Sequence, residues 1–172
     1  MLEGLSEKEK ISVNTIANRA LRKHVEYDSL ADKFGLVTIS RKLLGILFAS
    51  LPEEQCRALG KESGRDGGPA FIIFWFKKFD LSTTMMAIQK ITAEYGKNFH
   101  FQSHYDGRTY TFVMKHDCGF HASAYYAESV KAVLALLNAD VEVDESEDQV
   151  VARFRIVKSS FQEREVVVDK RM

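Results

Sequence analysis

The sequence predicts an α+β protein in which helices pack on one antiparallel sheet, with strands and a long helix in ββαββ order. Two stretches of alternating apolar residues, at 99–116 and 141–157, each contain a turn signal and predict hairpins. A helical stretch separates the two hairpins. Before about residue 98, apolar side chains recur mostly at three- and four-residue steps, so helices come first along the chain.

The first 35 residues predict a short helix, MLEGLSEKEK, followed by a long one. The long helix begins after an N-cap at Ser12 or Asn14 and continues to Phe34, with Gly35 as its C-cap. So few residues cannot bury its apolar face, which must therefore pack on the rest of the chain or on a second copy. The residues of the predicted dimer seam are Val13, Ile16, Ala20, Leu21 and Val25.

Further helices are predicted in the middle of the chain. Ser40 caps one that runs to about Ala49, and Ser50 begins a start signal, S-L-P-E, for the next. The preceding stretch LVTIS (36–40) predicts a short strand or an extended linker. The stretch GKESGRDGGP (60–69) is predicted to be flexible, and it lacks the spacing of a phosphate-binding loop.

The apolar stretch AFIIFWFKKF (70–79) is compatible with a strand or a helix. Its aromatic residues favour a strand, whereas Pro69 at its start favours a helix, which we choose. Ser82 is predicted to cap a clearer helix that ends at Gly96. The methionines of that helix predict core packing rather than a cofactor site.

A tight turn at Asp106-Gly107 predicts the register of the first hairpin. It places Phe101 opposite Phe112. Phe99 then lies opposite Met114. After this hairpin, a helix is predicted from Gly119 to about Leu137. The apolar residues that alternate in the second hairpin, around the acidic turn ESED, are Val141, Val143, Val150, Ala152, Phe154 and Ile156.

The chain has 172 residues, of which 45% are hydrophobic, and its 24 basic residues equal its 24 acidic residues. It lacks the strong positive charge of a dedicated nucleic-acid binder. Two cysteines without CxxC spacing and no signal peptide predict a cytoplasmic protein, and no apolar run is long enough for a membrane span. We predict a dimerisation or DNA-binding module at 1–35, a sensing or interaction domain at 36–157 and a charged tail at 158–172.

The start of the long helix resembles the second helix of the ribbon-helix-helix family of dimeric DNA-binding repressors. The matching residues are Ile11, Ser12, Val13, Asn14, Thr15, Ile16, Asn18, Ala20 and Leu21. In that family, backbone N–H groups at this helix start hold a DNA phosphate. The phosphate contacts predicted from this resemblance and from the adjacent basic cluster are Ser12, Val13, Asn14, Arg19, Arg22 and Lys23.

The family contacts base edges with a strand that would precede Met1. Phosphate contacts position a protein, whereas base contacts specify a sequence. Two explanations stay open: the native start lies upstream, or the module has become a dimerisation element. Glu26, Asp28 and Asp32 follow the basic cluster on the same helix, so the charges do not decide between them.

Four of the five histidines lie between 100 and 121. Strand alternation puts His100 and His104 on one face of the hairpin and His116 on the other. His116 could meet Cys118 and His121 at the corner before the helix and bind a metal ion. The alternative is a structural corner, whose residues are His116, Asp117, Cys118, Gly119, His121 and Ser123. No oxyanion donor accompanies Cys118, so we predict neither an enzyme nor a cofactor.

The motif H-D-x-G-x-x-x-S, at His116, Asp117, Gly119 and Ser123, resembles an uncharacterised, largely archaeal group of proteins. Leu59-Gly60-Lys61-Glu62 also matches that group, in which a ribbon-helix-helix-like N-terminus precedes an α+β region. The element order is further similar to the small-ligand-binding domains of the vinyl-reductase type, which is an analogy of fold alone. These resemblances imply a regulator with a DNA-binding front and a sensing domain behind.

The leading hypothesis is therefore a cytoplasmic, homodimeric, transcription-regulator-like protein that contacts DNA and senses a partner or a small apolar ligand. One alternative is an interaction or scaffold protein that dimerises through the same helix without binding DNA. A second is a metal-binding sensor at the His116, Cys118 and His121 corner. The residues of the predicted apolar pocket are Phe71, Phe74, Trp75, Phe112 and Tyr126.

Overall fold

A computed structural model describes residues 2–157, so the tail predicted at 158–172 lies outside the described residues. The N-terminal half is helical as predicted, and the segment 36–40 is an extended linker without strand pairing. The helical segments are α1 (Leu2–Glu9), α2 (Val13–Lys23), a π-helical turn (His24–Asp28), α3 (Ser29–Phe34), α4 (Arg41–Ala49), α5 (Glu53–Glu62), a second π-helical turn (Ser63–Gly67), α6 (Gly68–Phe76), α7 (Leu81–Met86) and a π-helical segment (Ala87–Tyr95). Over residues 2–157, no helix combines the length and the apolar character that crossing a membrane requires.

The C-terminal half confirms the predicted ββαββ order. Its elements are β1 (His100–Tyr105), β2 (Tyr110–Lys115), α8 (Phe120–Ala135), β3 (Ala139–Ser146) and β4 (Gln149–Ile156). All neighbouring strands are antiparallel, and the order across the sheet is β1-β2-β4-β3. Helices pack on one face of the sheet, which confirms the α+β class.

The core lies between α8 and the covered face of the sheet. Its largest side chains are at most 1% exposed, and they are Phe112, Met114, Leu134, Val150 and Phe154. Burying a side chain of this size contributes roughly 1.5–3 kcal/mol. Along β4 the buried residues alternate with half-buried or exposed ones, because successive strand side chains point to opposite faces.

Helix caps in the N-terminal half follow the sequence prediction. The Ser12 hydroxyl accepts a hydrogen bond from the Thr15 N–H at 3.1 Å, and the Ser40 hydroxyl accepts one from the Leu43 N–H at 3.2 Å. Gly35 ends α3 with a φ of 84°, the left-handed conformation that glycine adopts without strain.

Two other predicted helix starts are displaced. Asp80, rather than Ser82, caps α7, because its carboxylate accepts the Thr83 N–H at 2.9 Å and Thr83 Oγ1 accepts the Asp80 N–H at 3.0 Å. This reciprocal pair is a capping box. Ser50 ends α4, and α5 begins after Pro52.

The predicted register of the first hairpin is wrong by two residues. Phe101 lies opposite Met114, and Phe112 lies opposite Ser103. Phe99 precedes β1 and has no strand partner within it. A shift of two residues keeps each side chain on its predicted face, so the predicted division of the two faces holds.

A longer turn than predicted causes this shift. The Asp106 carboxylate accepts hydrogen bonds from the N–H groups of Arg108 and Thr109 at 2.8 and 2.7 Å. Side-chain bonding of this kind stabilises a turn by satisfying its free backbone donors. Tyr105 therefore pairs with Tyr110, and four residues form the loop between them.

The glycine-rich stretch 60–69 is helical, so the prediction that it is flexible is wrong. It belongs to the continuous helix formed by α5, the second π-helical turn and α6. Gly60, Gly64 and Gly68 recur at four-residue steps and lie on one side of that helix; we call them the glycine stripe. The α8 residues that they approach are also four apart, and they are Tyr125, Ser129 and Val133.

The glycine stripe lets the backbones of two helices touch. A Cβ atom on Gly60 would lie 3.0 Å from the Tyr125 Cα and closer still to the Tyr125 carbonyl oxygen. One on Gly64 would lie 2.9 Å from the Ala132 Cβ and closer to the Ser129 carbonyl oxygen. Glycine weakens a helix by about 1 kcal/mol relative to alanine, and here the tertiary contact outweighs that preference.

We predict that Gly60→Ala and Gly64→Ala each lower the free energy of unfolding by about 1–3 kcal/mol, because the new methyl group overlaps α8. Urea denaturation followed by circular dichroism measures the change. Gly67→Ala is the matched control, since its nearest group outside the local backbone is the Ser63 hydroxyl at 3.8 Å. The control should be neutral or more stable by up to about 1 kcal/mol. Equal stability of Gly60→Ala and the control would contradict the close contact.

Candidate functional site

One side of α2 forms a wall of an open cleft of about 690 Å³. The α2 residues on this side recur at three- and four-residue steps, and they are Thr15, Asn18, Arg19, Arg22 and Lys23. The opposite wall contains Glu94 and Tyr95, which end the π-helical segment Ala87–Tyr95, and Lys97 just after it. That segment is the third π-helical segment of the chain's described part. We call this space the basic cleft.

Glu26, in the π-helical turn after α2, joins the two walls. Its carboxylate accepts a hydrogen bond from the Tyr95 hydroxyl at 2.6 Å and pairs with the Lys90 ammonium at 2.6 Å. The Trp75 indole N–H donates to the Glu26 backbone carbonyl at 3.3 Å. These contacts hold the long N-terminal helix against α6 and the third π-helical segment.

The same contacts shift the pKa values of the Glu26 carboxyl and the Tyr95 hydroxyl. The hydrogen bond from Lys90, followed by that from Tyr95, lowers the pKa of Glu26, so the carboxylate is ionised at neutral pH. Burial and the neighbouring Glu26 raise the pKa of Tyr95 to about 12, so its hydroxyl keeps its proton. The junction is therefore in its bonded protonation state across the physiological pH range.

Aromatic packing reinforces the junction. Three rings surround Phe34 at centroid distances from 5.1 to 5.5 Å, and they belong to Phe71, Phe74 and Trp75. Tyr27 adds a contact with Trp75 at 6.5 Å. Aromatic pairs in such arrangements contribute about 0.5–1.5 kcal/mol beyond their buried area. The N-terminal helix is therefore docked within the chain along its second half.

The five residues of the predicted apolar pocket take part in side-chain packing. Phe71, Phe74 and Trp75 pack around Phe34, as described above. Phe112 and Tyr126 lie in the sheet core with exposed fractions of 0% and 8%. None of the five lines the basic cleft or a second, smaller cleft that contains Phe99 and Phe101.

The basic cleft is positively charged although the whole chain is neutral. Its charged residues are Arg19, Arg22, Lys23, Lys97 and Glu94. Two of the four cations are partly compensated. Arg19 pairs with Glu9 at 3.9 Å, and Lys23 forms a closer pair with Asp28. Over residues 2–157, neither Arg22 nor Lys97 has a carboxylate within ion-pair distance. Among the described residues, these two cations are left without an ion-pair partner and are available to an anionic ligand.

The predicted phosphate contacts separate into two groups. Arg19, Arg22 and Lys23 line the basic cleft. Ser12, Val13 and Asn14 lie at the start of α2, outside its lining, and the Ser12 hydroxyl is already bonded to its helix. Whether these residues contact DNA stays a prediction. Lys97 is the cleft cation that sequence analysis missed, because only folding brings it to α2.

A second cleft, of about 270 Å³, adjoins the basic cleft and shares Glu94 and Lys97 with it. Its other lining residues are Arg41, Gln89, Ala93, Phe99, His100 and Phe101. Phe99 is 6% exposed and Phe101 is half-buried, whereas Gln89 and His100 are exposed. The second cleft therefore combines an aromatic floor with a polar rim.

His116 lies at the corner between β2 and α8 and is 6% exposed. Its Nδ1 accepts a hydrogen bond from the Cys118 N–H at 3.3 Å, and its Nε2 lies 3.1 Å from the Ser123 hydroxyl oxygen. The Ser123 hydroxyl in turn donates to the Glu147 carbonyl at 3.2 Å. The imidazole is thus neutral and donates through Nε2, so Ser123 is not activated as a nucleophile.

The same corner connects the turn between β3 and β4 to α8. Gly119 has a φ of 81°, and its N–H donates to the Asp148 carboxylate at 2.9 Å. The His116 N–H donates to the Asp148 carbonyl, also at 2.9 Å. This geometry favours the structural corner among the two interpretations of the motif.

The three side chains proposed to hold a metal ion bond to different groups. The Cys118 thiol donates to the Arg41 carbonyl at 3.7 Å, and His121 Nδ1 lies 3.2 Å from the Phe48 carbonyl oxygen. Asp117 pairs with Arg41 at 3.4 Å. In the described part of the chain, no three His, Cys, Asp or Glu side chains are placed together as metal ligands. Burial also raises the pKa of the Cys118 thiol, which disfavours the thiolate.

No protein-family model matches this sequence, and no curated protein matches it either. Among solved structures, a similar chain is a doubly substituted variant described as Tt H-NOX. It is 12% identical, with a TM-score of 0.46, and the match covers 86% of this chain and 93% of that chain. A likeness this distant carries no argument about function, and the ribbon-helix-helix resemblance stays a prediction.

We predict that His116 makes the protein less stable as the pH falls. Burial lowers the pKa of His116 from its usual 6.5, outweighing the nearby Asp148 and Asp117 carboxylates. The unfolded chain therefore binds a proton at a higher pH than the folded chain. The contribution of the neutral, buried imidazole to the free energy of unfolding is fully present above about pH 7. It is lost as the pH falls below that, with a slope of at most about 1.4 kcal/mol per pH unit.

Unfolding of wild type and His116→Gln, compared between about pH 7.5 and pH 5, measures this effect. The stability advantage of wild type should shrink as the pH falls. His104→Gln is the control, because His104 is exposed on the open face of β1. Parallel curves for wild type and His116→Gln would show that His116 does not carry the pH dependence.

Proposed function

We propose that this protein is a transcription-regulator-like protein that binds the phosphate backbone of DNA in the basic cleft. The observation that supports this proposal is the alignment of Arg19, Arg22 and Lys23 on one side of α2, facing Lys97 across the cleft. Guanidinium and ammonium groups are the usual protein partners of phosphate, and guanidinium can bind it through two parallel hydrogen bonds.

The compensation of charges within the cleft indicates which cations contribute most. Arg19 and Lys23 would exchange an existing carboxylate partner for a phosphate, so their net gain is small. Lys97 has no such partner in the described part of the chain. Arg22, whose charge acts on Glu26, has no carboxylate within ion-pair distance there, so each would gain a new charge pair. Because the whole chain is neutral, binding should depend on this patch and weaken as salt rises.

An exposed apolar surface supports dimerisation through the long helix. Leu21 is 64% exposed and Val25 is 68% exposed, and both lie on the side of the helix predicted as a dimer seam. Val13 and Ile16, also predicted in the seam, are half-buried next to α1. A second copy covering Leu21 and Val25 would remove exposed apolar area from water. The same surface supports the alternative function, an interaction protein that dimerises without binding DNA.

We predict that Arg22→Gln and Lys97→Gln each weaken binding of a labelled DNA duplex by about fivefold, which corresponds to about 1 kcal/mol. Fluorescence anisotropy at about 50 and 200 mM salt measures both the affinity and its salt dependence. Each substitution should also reduce the salt slope by about 0.9, the value for one phosphate contact on a duplex.

The matched control for this experiment is Lys61→Gln, which removes the same charge from an exposed position on α5. It should leave both the affinity and the salt slope unchanged. Equal losses for Lys61→Gln and Lys97→Gln would show that binding depends on net charge and not on the cleft. Absence of binding by wild type at about 50 mM salt would favour the interaction protein.

We predict that Leu21→Asn combined with Val25→Asn converts a wild-type dimer into a monomer, because the polar amides remove the apolar contact. Multi-angle light scattering after gel filtration measures the mass. Leu59→Asn, at another exposed leucine (45% exposed), is the control and should leave the dimer intact. A monomeric wild-type protein at micromolar concentration would contradict the dimer in both functions.

A further inference from the structure

The basic cleft and the second cleft open next to each other, because Glu94 and Lys97 line both. Lys97 has a φ of 58°, in the left-handed region that residues other than glycine seldom adopt. It follows directly after Gly96, the C-cap of the preceding π-helical segment. An extended ligand could therefore follow Lys97 from the phosphate-binding cations into the second cleft.

The floor of the second cleft is aromatic and fixed. Phe101 packs edge-on against the buried Phe112 ring at 5.1 Å, and its centroid lies 6.4 Å from that of Phe99. Within residues 2–157, β1 is at the edge of the sheet, and no strand of that range covers its outer side. Half of the Phe101 side chain is therefore held in place while the remainder is accessible from the cleft.

The rim of the second cleft carries hydrogen-bonding groups. Gln89 offers an amide, which both donates and accepts, and His100 offers an imidazole. The Arg41 guanidinium is also present, although it pairs with Asp117 at 3.4 Å. A flat ring with a polar edge matches this combination, because the ring can contact Phe101 while its edge bonds to the rim.

We propose that the second cleft holds an unpaired base of a nucleic-acid strand whose phosphates lie in the basic cleft, so that the ligand is single-stranded. This inference rests on the proposed function and names the form of the nucleic acid. In a duplex, the bases are paired and stacked, and their faces cannot reach Phe101. In a single strand, stacking on an aromatic ring beside a cationic groove is a general mode of binding.

The test compares a labelled oligothymidylate of about ten nucleotides with a duplex of the same length, by anisotropy at low salt. Wild type should bind the single strand about tenfold more tightly than the duplex. Phe101→Leu, which keeps an apolar side chain for packing, should weaken single-strand binding by about fivefold and leave duplex binding unchanged.

A second variant avoids any effect on folding. Gln89 is exposed, so Gln89→Ala should unfold like wild type while weakening single-strand binding by about fivefold. Gln102→Ala is the control, because Gln102 is exposed and lies outside the lining of both clefts, so it should change neither affinity. Thermal unfolding of each variant shows that the fold is retained.

The possible outcomes separate this inference from the proposed function. Equal affinity for single strand and duplex, or unchanged binding by Phe101→Leu and Gln89→Ala, would overturn the single-strand inference and leave phosphate binding intact. Binding of thymidine monophosphate as tight as that of the strand would also overturn it, since the site would then hold a nucleotide alone. No binding of either nucleic acid would overturn both proposals.

Discussion

The close contact between the glycine stripe and α8 is the constraint on which the rest of the structure depends. The absence of side chains at Gly60 and Gly64 lets the continuous helix α5–α6 lie against the backbone of α8. Because α8 also covers the sheet, this contact sets where α6 lies relative to the core. The aromatic residues of α6 then pack around Phe34 and thereby dock the long N-terminal helix. Both walls of the basic cleft depend on this chain of contacts.

The long N-terminal helix presents different chemistry on two sides. One side carries Arg19 and Arg22 toward the basic cleft, and the other carries the exposed Leu21 and Val25. Glu26 fixes its rotation, because the carboxylate bonds to the third π-helical segment. If Leu21 and Val25 are covered by a second copy, the cationic side would still face its own cleft. Dimerisation and phosphate binding are therefore compatible on a single helix.

Local signals in the sequence predicted most of the elements. Ser12, Ser40 and Gly35 act within a few residues of themselves, so their capping roles can be inferred without knowledge of the fold. The ββαββ order can likewise be inferred without knowledge of the fold, because apolar periodicity is a local pattern. The predicted hairpin register failed because the Asp106 side chain bonds to two backbone donors and lengthens the turn.

Features that depend on distant residues were not predictable. Glycines at 60–69 indicate flexibility unless the helix that they contact is known. Lys97 lies far along the chain from α2, and no local pattern connects it with Arg22. For the same reason, the second cleft at Gln89 and Phe101 had no signal in the sequence. The His116 corner was anticipated as one of two interpretations, because its partners are close along the chain.

The most direct test of the central claim, that ligand phosphates lie between α2 and Lys97, is an NMR titration of the labelled protein with nucleic acid at low salt. If the ligand phosphates lie there, the largest shifts are at the amides and side chains of the cleft cations, with smaller shifts around Phe101. The cleft cations are Arg19, Arg22, Lys23 and Lys97. Shifts concentrated at the start of α2, on the open face of the sheet, or nowhere at saturating ligand would contradict the claim.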